Sequence, residues 1–184
     1  SRFRARDKAT PIVLMGYLNS FERMSYRLFV ERAARAGVDG LIVVNLPPEE
    51  AGELRKLMHA HQMDLIFLVA PTSTPERIER IASDASGFVY YVSLKGVTGA
   101  DHLRQEGIRE QVMRIREHTT LPVMVGFGIK HSAAAGAIAA VADGVVIGSI
   151  LVNTMERNRS EPEAIPAALR ALVAEFRSAL DREQ

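Results

Sequence analysis

Pro122-Val123-Met124-Val125-Gly126-Phe127-Gly128-Ile129 and Gly144-Val145-Val146-Ile147-Gly148-Ser149 are the stretches whose reading decides how this chain folds. Within them Pro122–Phe127 and Gly144–Gly148 are short, β-branched, apolar runs, with a glycine at or next to the end and a segment of helical period after it. A run so uniformly apolar is too short for a helix and too greasy for a half-exposed antiparallel strand, so it predicts a parallel strand covered on both faces. Four further runs of the same kind precede them, at Pro11–Tyr17, Gly40–Val44, Asp64–Val69 and Gly87–Val92. Strands and helices therefore alternate along the whole chain, the pattern of βα units.

The segments between the runs carry helix punctuation. Thr74-Pro75-Glu76 sets a hydroxyl N-cap, a proline where the missing N–H costs nothing, and an acid near the positive helix end, with Ile78, Ile81 and Ala82 facing inward. Pro47-Pro48-Glu49-Glu50 opens another helix, burying Leu54, Leu57 and Met58, and Gly37 supplies a left-handed stop to the helix before it. Ile108, Val112 and Ile115 mark a further amphipathic helix. The last helix is expected to start from a capping box, Ser160 with Glu163, and to bury Ile165, Leu169, Leu172, Val173, Phe176 and Leu180. Ser1–Thr10, with Arg2, Arg4, Arg6 and Lys8, reads as the polar end of a helix. The expected fold is α/β, a single domain over residues 1–184 of the (βα)8 TIM-barrel family, incomplete with six consecutive βα units; a complete barrel takes ~250 residues.

Composition narrows the function. With 184 residues and 47% hydrophobic residues, the chain can bury one sizeable core. A formal net charge of +1, without any basic stretch interleaved with aromatics, offers nothing to nucleic acid or an anionic membrane. The absence of cysteine excludes disulfides, thiolate metal sites and a cysteine nucleophile. No apolar run reaches the ~18 residues of a membrane span and no signal pattern opens the sequence, so the expected location is cytoplasmic. The five histidines form no constellation, because His59 and His61 are two apart and the other three are scattered; no metal site is expected. Apart from Met15, the seven methionines are read as core filling.

In parallel α/β folds ligands bind at the carboxyl ends of the strands. The residues there are Tyr17 and Asn19, Asn45, Pro71 and Thr72, Tyr90 and Ser93, Phe127 and Gly128, and Gly148 and Ser149. They are hydroxyls, amides, aromatics and glycines, without a carboxylate or histidine. Two glycine-ended strands in succession point to a phosphate cradle built from backbone N–H groups and a helix N-terminus, in the place where barrels commonly hold phosphate. The run from Tyr90 into Ser93-Leu94-Lys95-Gly96-Val97-Thr98-Gly99-Ala100 is a longer βα connection than usual, of the kind that serves as a lid.

At Tyr90–Ala100, Gly126–Ile129 and Gly148–Ser149, and in order at Pro11–Tyr17 with Asn19, Gly37–Gly40, Pro47–Glu50 and Ala70–Thr74, the sequence resembles the tryptophan synthase alpha chain. The resemblance covers nearly the whole chain. It implies a lyase of tryptophan biosynthesis that cleaves indole-3-glycerol phosphate to indole and glyceraldehyde 3-phosphate by a retro-aldol step, needs no cofactor, and partners a beta chain in an alpha2beta2 complex. It assigns phosphate binding to Gly99, Phe127, Gly128, Gly148 and Ser149, the indole pocket to Met15, Leu68, Tyr90, Phe127 and Val146, and a place in the lid to Thr98. Tyr90 lies next to the substrate in that assignment. In the family the glutamate acid/base and an aspartate lie on the first two strands, in patterns resembling Glu-Leu-Gly and Phe-Ser-Asp-Pro. Neither pattern occurs here, the resemblance implies that the first two βα units are absent, and this chain alone is expected to be inactive; the alternative is a non-catalytic barrel fragment that binds phosphate or the partner. Asn45 stands where the family usually has aspartate, and there it can hydrogen-bond but supplies no charge.

Overall fold

A computed structural model of the chain describes residues 2–93, 101–126 and 128–182, with the backbone alone at 101–105. Six strands alternate with helices in the expected order: β1 (Val13–Gly16), α1 (Leu18–Glu22), α2 (Tyr26–Ala36), β2 (Gly40–Val43), α3 (Gly52–Ala60), β3 (Asp64–Val69), α4 (Pro75–Asp84), β4 (Val89–Val92), α5 (Asp101–Arg116), β5 (Val123–Gly126), α6 (Ser132–Ala139), β6 (Gly144–Val146), α7 (Ser149–Arg157) and α8 (Ile165–Asp181). All six strands fall within the runs read from the sequence. They form two compact units, residues 1–69 with 74–89, and residues 70–73 with 90–184.

In the first unit the strand order is β1-β2-β3, every pair parallel, with Val13 opposite Gly40 and Gly40 opposite Asp64. The middle strand explains why: Leu41, Ile42 and Val43 are all buried, which only a strand covered on both faces permits. Leu65, Phe67 and Val69 of β3 are buried on one face and Ile66 on the other. Helix α4 starts as its sequence requires, the Thr74 hydroxyl accepting from the Arg77 N–H at 3.3 Å with Pro75 in the first turn. It buries Ile78 and Ile81, each contributing roughly 1.5–3 kcal/mol of apolar transfer. Gly37 ends α2 in the left-handed region at φ 83°.

In the second unit β4, β5 and β6 follow one another. The Ser93 N–H donates to the Gly126 carbonyl at 3.0 Å, and β5 pairs in parallel with β6, Gly126 opposite Val146. Helix α5 seats Ile108, Val112 and Ile115 in the core, the i, i+4, i+7 spacing of one helical face.

Several expectations are corrected. Residues 2–10 form turns instead of a helix end: the Arg6 and Asp7 N–H groups both donate to the Phe3 carbonyl. Arg4 there is a tether, its guanidinium donating to the Gly37 carbonyl at 2.8 Å, to the Thr10 carbonyl at 2.7 Å and to the Asp39 carboxylate. Pro47–Glu50 gives a 3-10 turn at Pro48–Glu50 before α3, and Glu49 is drawn off to Arg77 at 2.6 Å. The Ser160–Glu163 capping box does not form. Two prolines divide that segment, so a 3-10 turn at Pro162–Ala164 comes first and α8 begins at Ile165 without a side-chain cap. Only Phe176, Ala179 and Leu180 of α8 are buried, and Val173 is exposed. Strand β1 is not covered on both faces, since Leu14 and Met15 are 37% and 55% exposed. Met24, Met113 and Met155 are also exposed, leaving Met58 and Met63 as the buried methionines among the described residues.

Candidate functional site

The glycine-ended strands meet in the second unit. Parallel register places Gly126 of β5 opposite Val146 of β6, and Gly128 and Gly148 each follow two residues after that last pair in sequence. Gly128 has φ +70°, a left-handed conformation that suits glycine and turns the chain toward α6. Gly148 is the N-cap of α7, with its carbonyl accepting from the Leu151 N–H at 2.9 Å and the Val152 N–H at 3.2 Å.

The two helix starts that follow these glycines differ. At α6 the His131 Nδ1 accepts from the Ala134 N–H at 3.3 Å, and the Ser132 hydroxyl donates to Glu175 at 2.5 Å. That N-terminus is closed by its own side chains, a role for His131 that its spacing from other histidines could not reveal. At α7 no side chain caps the helix. The first N–H groups of a helix have no partner within it, and its dipole places positive potential there, so an uncapped start favours an anion. A Cβ built on Gly148 would meet nothing within 4 Å. No packing contact in this chain requires glycine at 148. What the glycine leaves is free approach to the N–H groups of Ser149 and Ile150.

Tyr90 of β4 stands beside this end of the second unit, 7% exposed, its ring lying against Gly126. Burial pushes the Tyr90 phenol above its ordinary value of 10.0, and burial does the same to Tyr91. At neutral pH the Tyr90 hydroxyl is therefore protonated, a donor and a contact surface instead of a base. Val146 is half-buried at the last position of β6.

In the first unit, Met15 of β1 is exposed and Leu68 of β3 is half-buried. Leu68 lines a depression of about 250 Å³ at the carboxyl ends of β2 and β3 together with Asn45, Phe67 and Arg77. Asn45 uses its side-chain oxygen to accept from the Leu18 N–H at 2.8 Å, holding the start of α1 to the end of β2. That partner is 27 residues away, and no local signal in the sequence could have found it. Thr98, Gly99 and Phe127, together with Lys95, lie outside the described residues. Among the described strand-end residues there is no carboxylate and no histidine, and among the described residues no group of three His, Cys, Asp or Glu side chains could hold a metal. No described helix is long and apolar enough to cross a membrane.

The family model for the tryptophan synthase alpha chain matches residues 1–181. Tryptophan synthase alpha chains of Nitrosococcus oceani and Thioalkalivibrio sulfidiphilus are 50% and 52% identical to this chain over 98% and 97% of its length, and it covers 67% of each of them. Among solved structures, the tryptophan synthase alpha chain of Legionella pneumophila subsp. pneumophila matches with a TM-score of 0.85 and 38% identity over 98% of this chain and 66% of its own. A chain from the tryptophan synthase a2b2 complex of Pyrococcus furiosus matches with a TM-score of 0.84 and 34% identity, over 96% of this chain and 70% of its own. The chain thus spans about two thirds of the length of the relatives it matches.

Proposed function

Because the chain belongs to the tryptophan synthase alpha-chain family, we propose that it serves the family's lyase reaction, cleavage of indole-3-glycerol phosphate to indole and glyceraldehyde 3-phosphate in the cytoplasm. The observation that carries this reading is the uncapped start of α7 behind Gly148, together with the left-handed Gly128 two residues after β5. The N–H groups there suit the phosphate end of the substrate without a cationic side chain. It is the family resemblance that assigns Met15, Leu68, Tyr90, Phe127 and Val146 to the indole ring, Gly99 and Phe127 to the phosphate and Thr98 to the lid.

The reaction breaks the carbon–carbon bond between the ring and the glycerol chain. The ring carbon gains a proton, and the hydroxyl on the departing carbon loses one as it becomes the aldehyde. Positioned acid and base groups typically supply ~10²–10⁴-fold in such steps. The described strand ends offer two phenols, the exposed Tyr17 and the buried Tyr90, as proton-exchanging groups, and the raised pKa of Tyr90 suits it to contact and hydrogen-bond donation. We therefore assign this chain the binding part of the reaction, with the proton transfers depending on carboxylates it does not place at a strand end. The beta chain of tryptophan synthase is the proposed protein partner, in line with the a2b2 assembly of the Pyrococcus relative. Calorimetric titration with glycerol 3-phosphate tests the site: saturable binding that Gly128→Val abolishes is expected, and binding retained in Gly128→Val would sink the assignment.

A further inference from the structure

At the amino end of β3, opposite the strand ends considered so far, the first unit holds a second cavity of about 520 Å³. Its apolar lining comes from Met58, Met63 and Leu65, which are 1%, 5% and 2% exposed. Three charged side chains line it as well, Asp64, Asp84 and Arg55. The Asp84 carboxylate is 91% buried by its 9% side-chain exposure, and Arg55 pairs with its Oδ1. Its Oδ2 is buried without a hydrogen-bond donor: Arg80 Nε approaches to 3.0 Å as an ion pair but is not aligned to donate. The Asp64 carboxylate sits against Gly87, where a Cβ would come 2.9 Å from Oδ2, and among the described residues it makes no hydrogen bond or ion pair.

We propose that this cavity is a binding site for a small amphiphilic ammonium compound, an apolar body carrying a protonated amine. Arg55 and Arg80 both pair with Asp84, so the carboxylate that no guanidinium compensates in this lining is Asp64. A buried acceptor without a donor costs free energy that a ligand N–H recovers, and an ammonium supplies both the donor and the charge. The apolar floor takes the hydrocarbon part, as in ordinary small-molecule pockets. An anion would meet Asp64 and Asp84, and a neutral alcohol would supply a donor without the charge.

The test is calorimetric titration of the full chain with 2-phenylethylamine, with 2-phenylethanol and phenylacetate as isosteres of altered charge. Saturable binding of the amine at least tenfold tighter than the alcohol, and no binding of phenylacetate, is expected. Asp64→Asn, which breaks no ion pair, should weaken the amine several-fold, and Asp84→Asn should weaken it at least tenfold while leaving the alcohol's affinity within twofold. Equal binding of amine and alcohol, preference for the carboxylate, no binding, or amine binding untouched by Asp64→Asn and Asp84→Asn would each overturn the proposal.

Discussion

The Tyr90 ring lies across the backbone of Gly126, so closely that a Cβ built on Gly126 would come 2.6 Å from Cε2 of that ring. The glycine of β5 is thus set by its neighbour on β4. Gly126→Ala forces the ring or the strand to move, and overpacking of this kind costs about 1–3 kcal/mol. Combining it with Tyr90→Leu removes the clash, so the two substitutions should be non-additive by ~0.5 kcal/mol or more in a double-mutant cycle of denaturant midpoints.

Gly148 is set by no packing contact in the chain itself, and its replacement separates folding from binding. Gly148→Ala puts its methyl in open space, so no packing contact opposes it and stability should change by no more than ~1 kcal/mol. Affinity for glycerol 3-phosphate should fall tenfold or more, because the added methyl obstructs approach to the start of α7. Paired thermal melts and titrations read both quantities, and unchanged affinity would move the phosphate elsewhere.

Leu14 and Met15 point to opposite faces of β1 and are each more than a third exposed. β1 pairs with β2, and among the described residues no strand pairs with its other edge. An apolar edge of this kind templates association between chains. Sedimentation velocity should show concentration-dependent self-association that Leu14→Lys reduces. A single species of 20.2 kDa at all concentrations would contradict this.

Asp143 joins the start of β5 to α5, accepting from the Val123 N–H at 2.8 Å and from Arg116 at 2.9 Å. Burial raises its pKa, but the Val123 and Arg116 bonds outweigh it and hold the carboxyl below its ordinary 3.8. A depressed folded pKa means that the stabilisation is present above the unfolded value and is lost as pH falls through the folded one. Asp143→Asn should therefore destabilise the chain at pH 7 by about 1 kcal/mol, allowing for solvent screening at this half-exposed site. The deficit should shrink below pH ~4, as read from denaturation curves across that range.

The six strands were legible because a fully buried parallel strand writes its burial directly into a run such as Leu41–Val43. The Thr74 cap and the Gly37 stop were legible because each depends on residues within one turn. What the sequence hid depends on distant partners. Arg4 holds Gly37 and Asp39, Asn45 holds Leu18, and His131 caps α6, the helix that follows Gly128. The Ser160–Glu163 motif misled because the intervening Pro162 favours a tight turn over a helix start. At the candidate site, the glycines at 128 and 148 were readable from strand-end position alone. The contrast between a closed α6 and an open α7 emerges only when side chains are placed.

The proposed function assigns this chain phosphate binding in the cleavage of indole-3-glycerol phosphate, with the proton transfers depending on carboxylates outside it. Its most direct test is indole release from indole-3-glycerol phosphate, assayed first with the 184-residue chain alone and then after supplying the family's first two βα units, with both carboxylates, as a peptide or fusion. The account predicts no turnover from the chain alone despite glycerol 3-phosphate binding, and turnover on supplementation. Robust turnover by the unsupplemented chain, abolished by Tyr90→Phe, would contradict it.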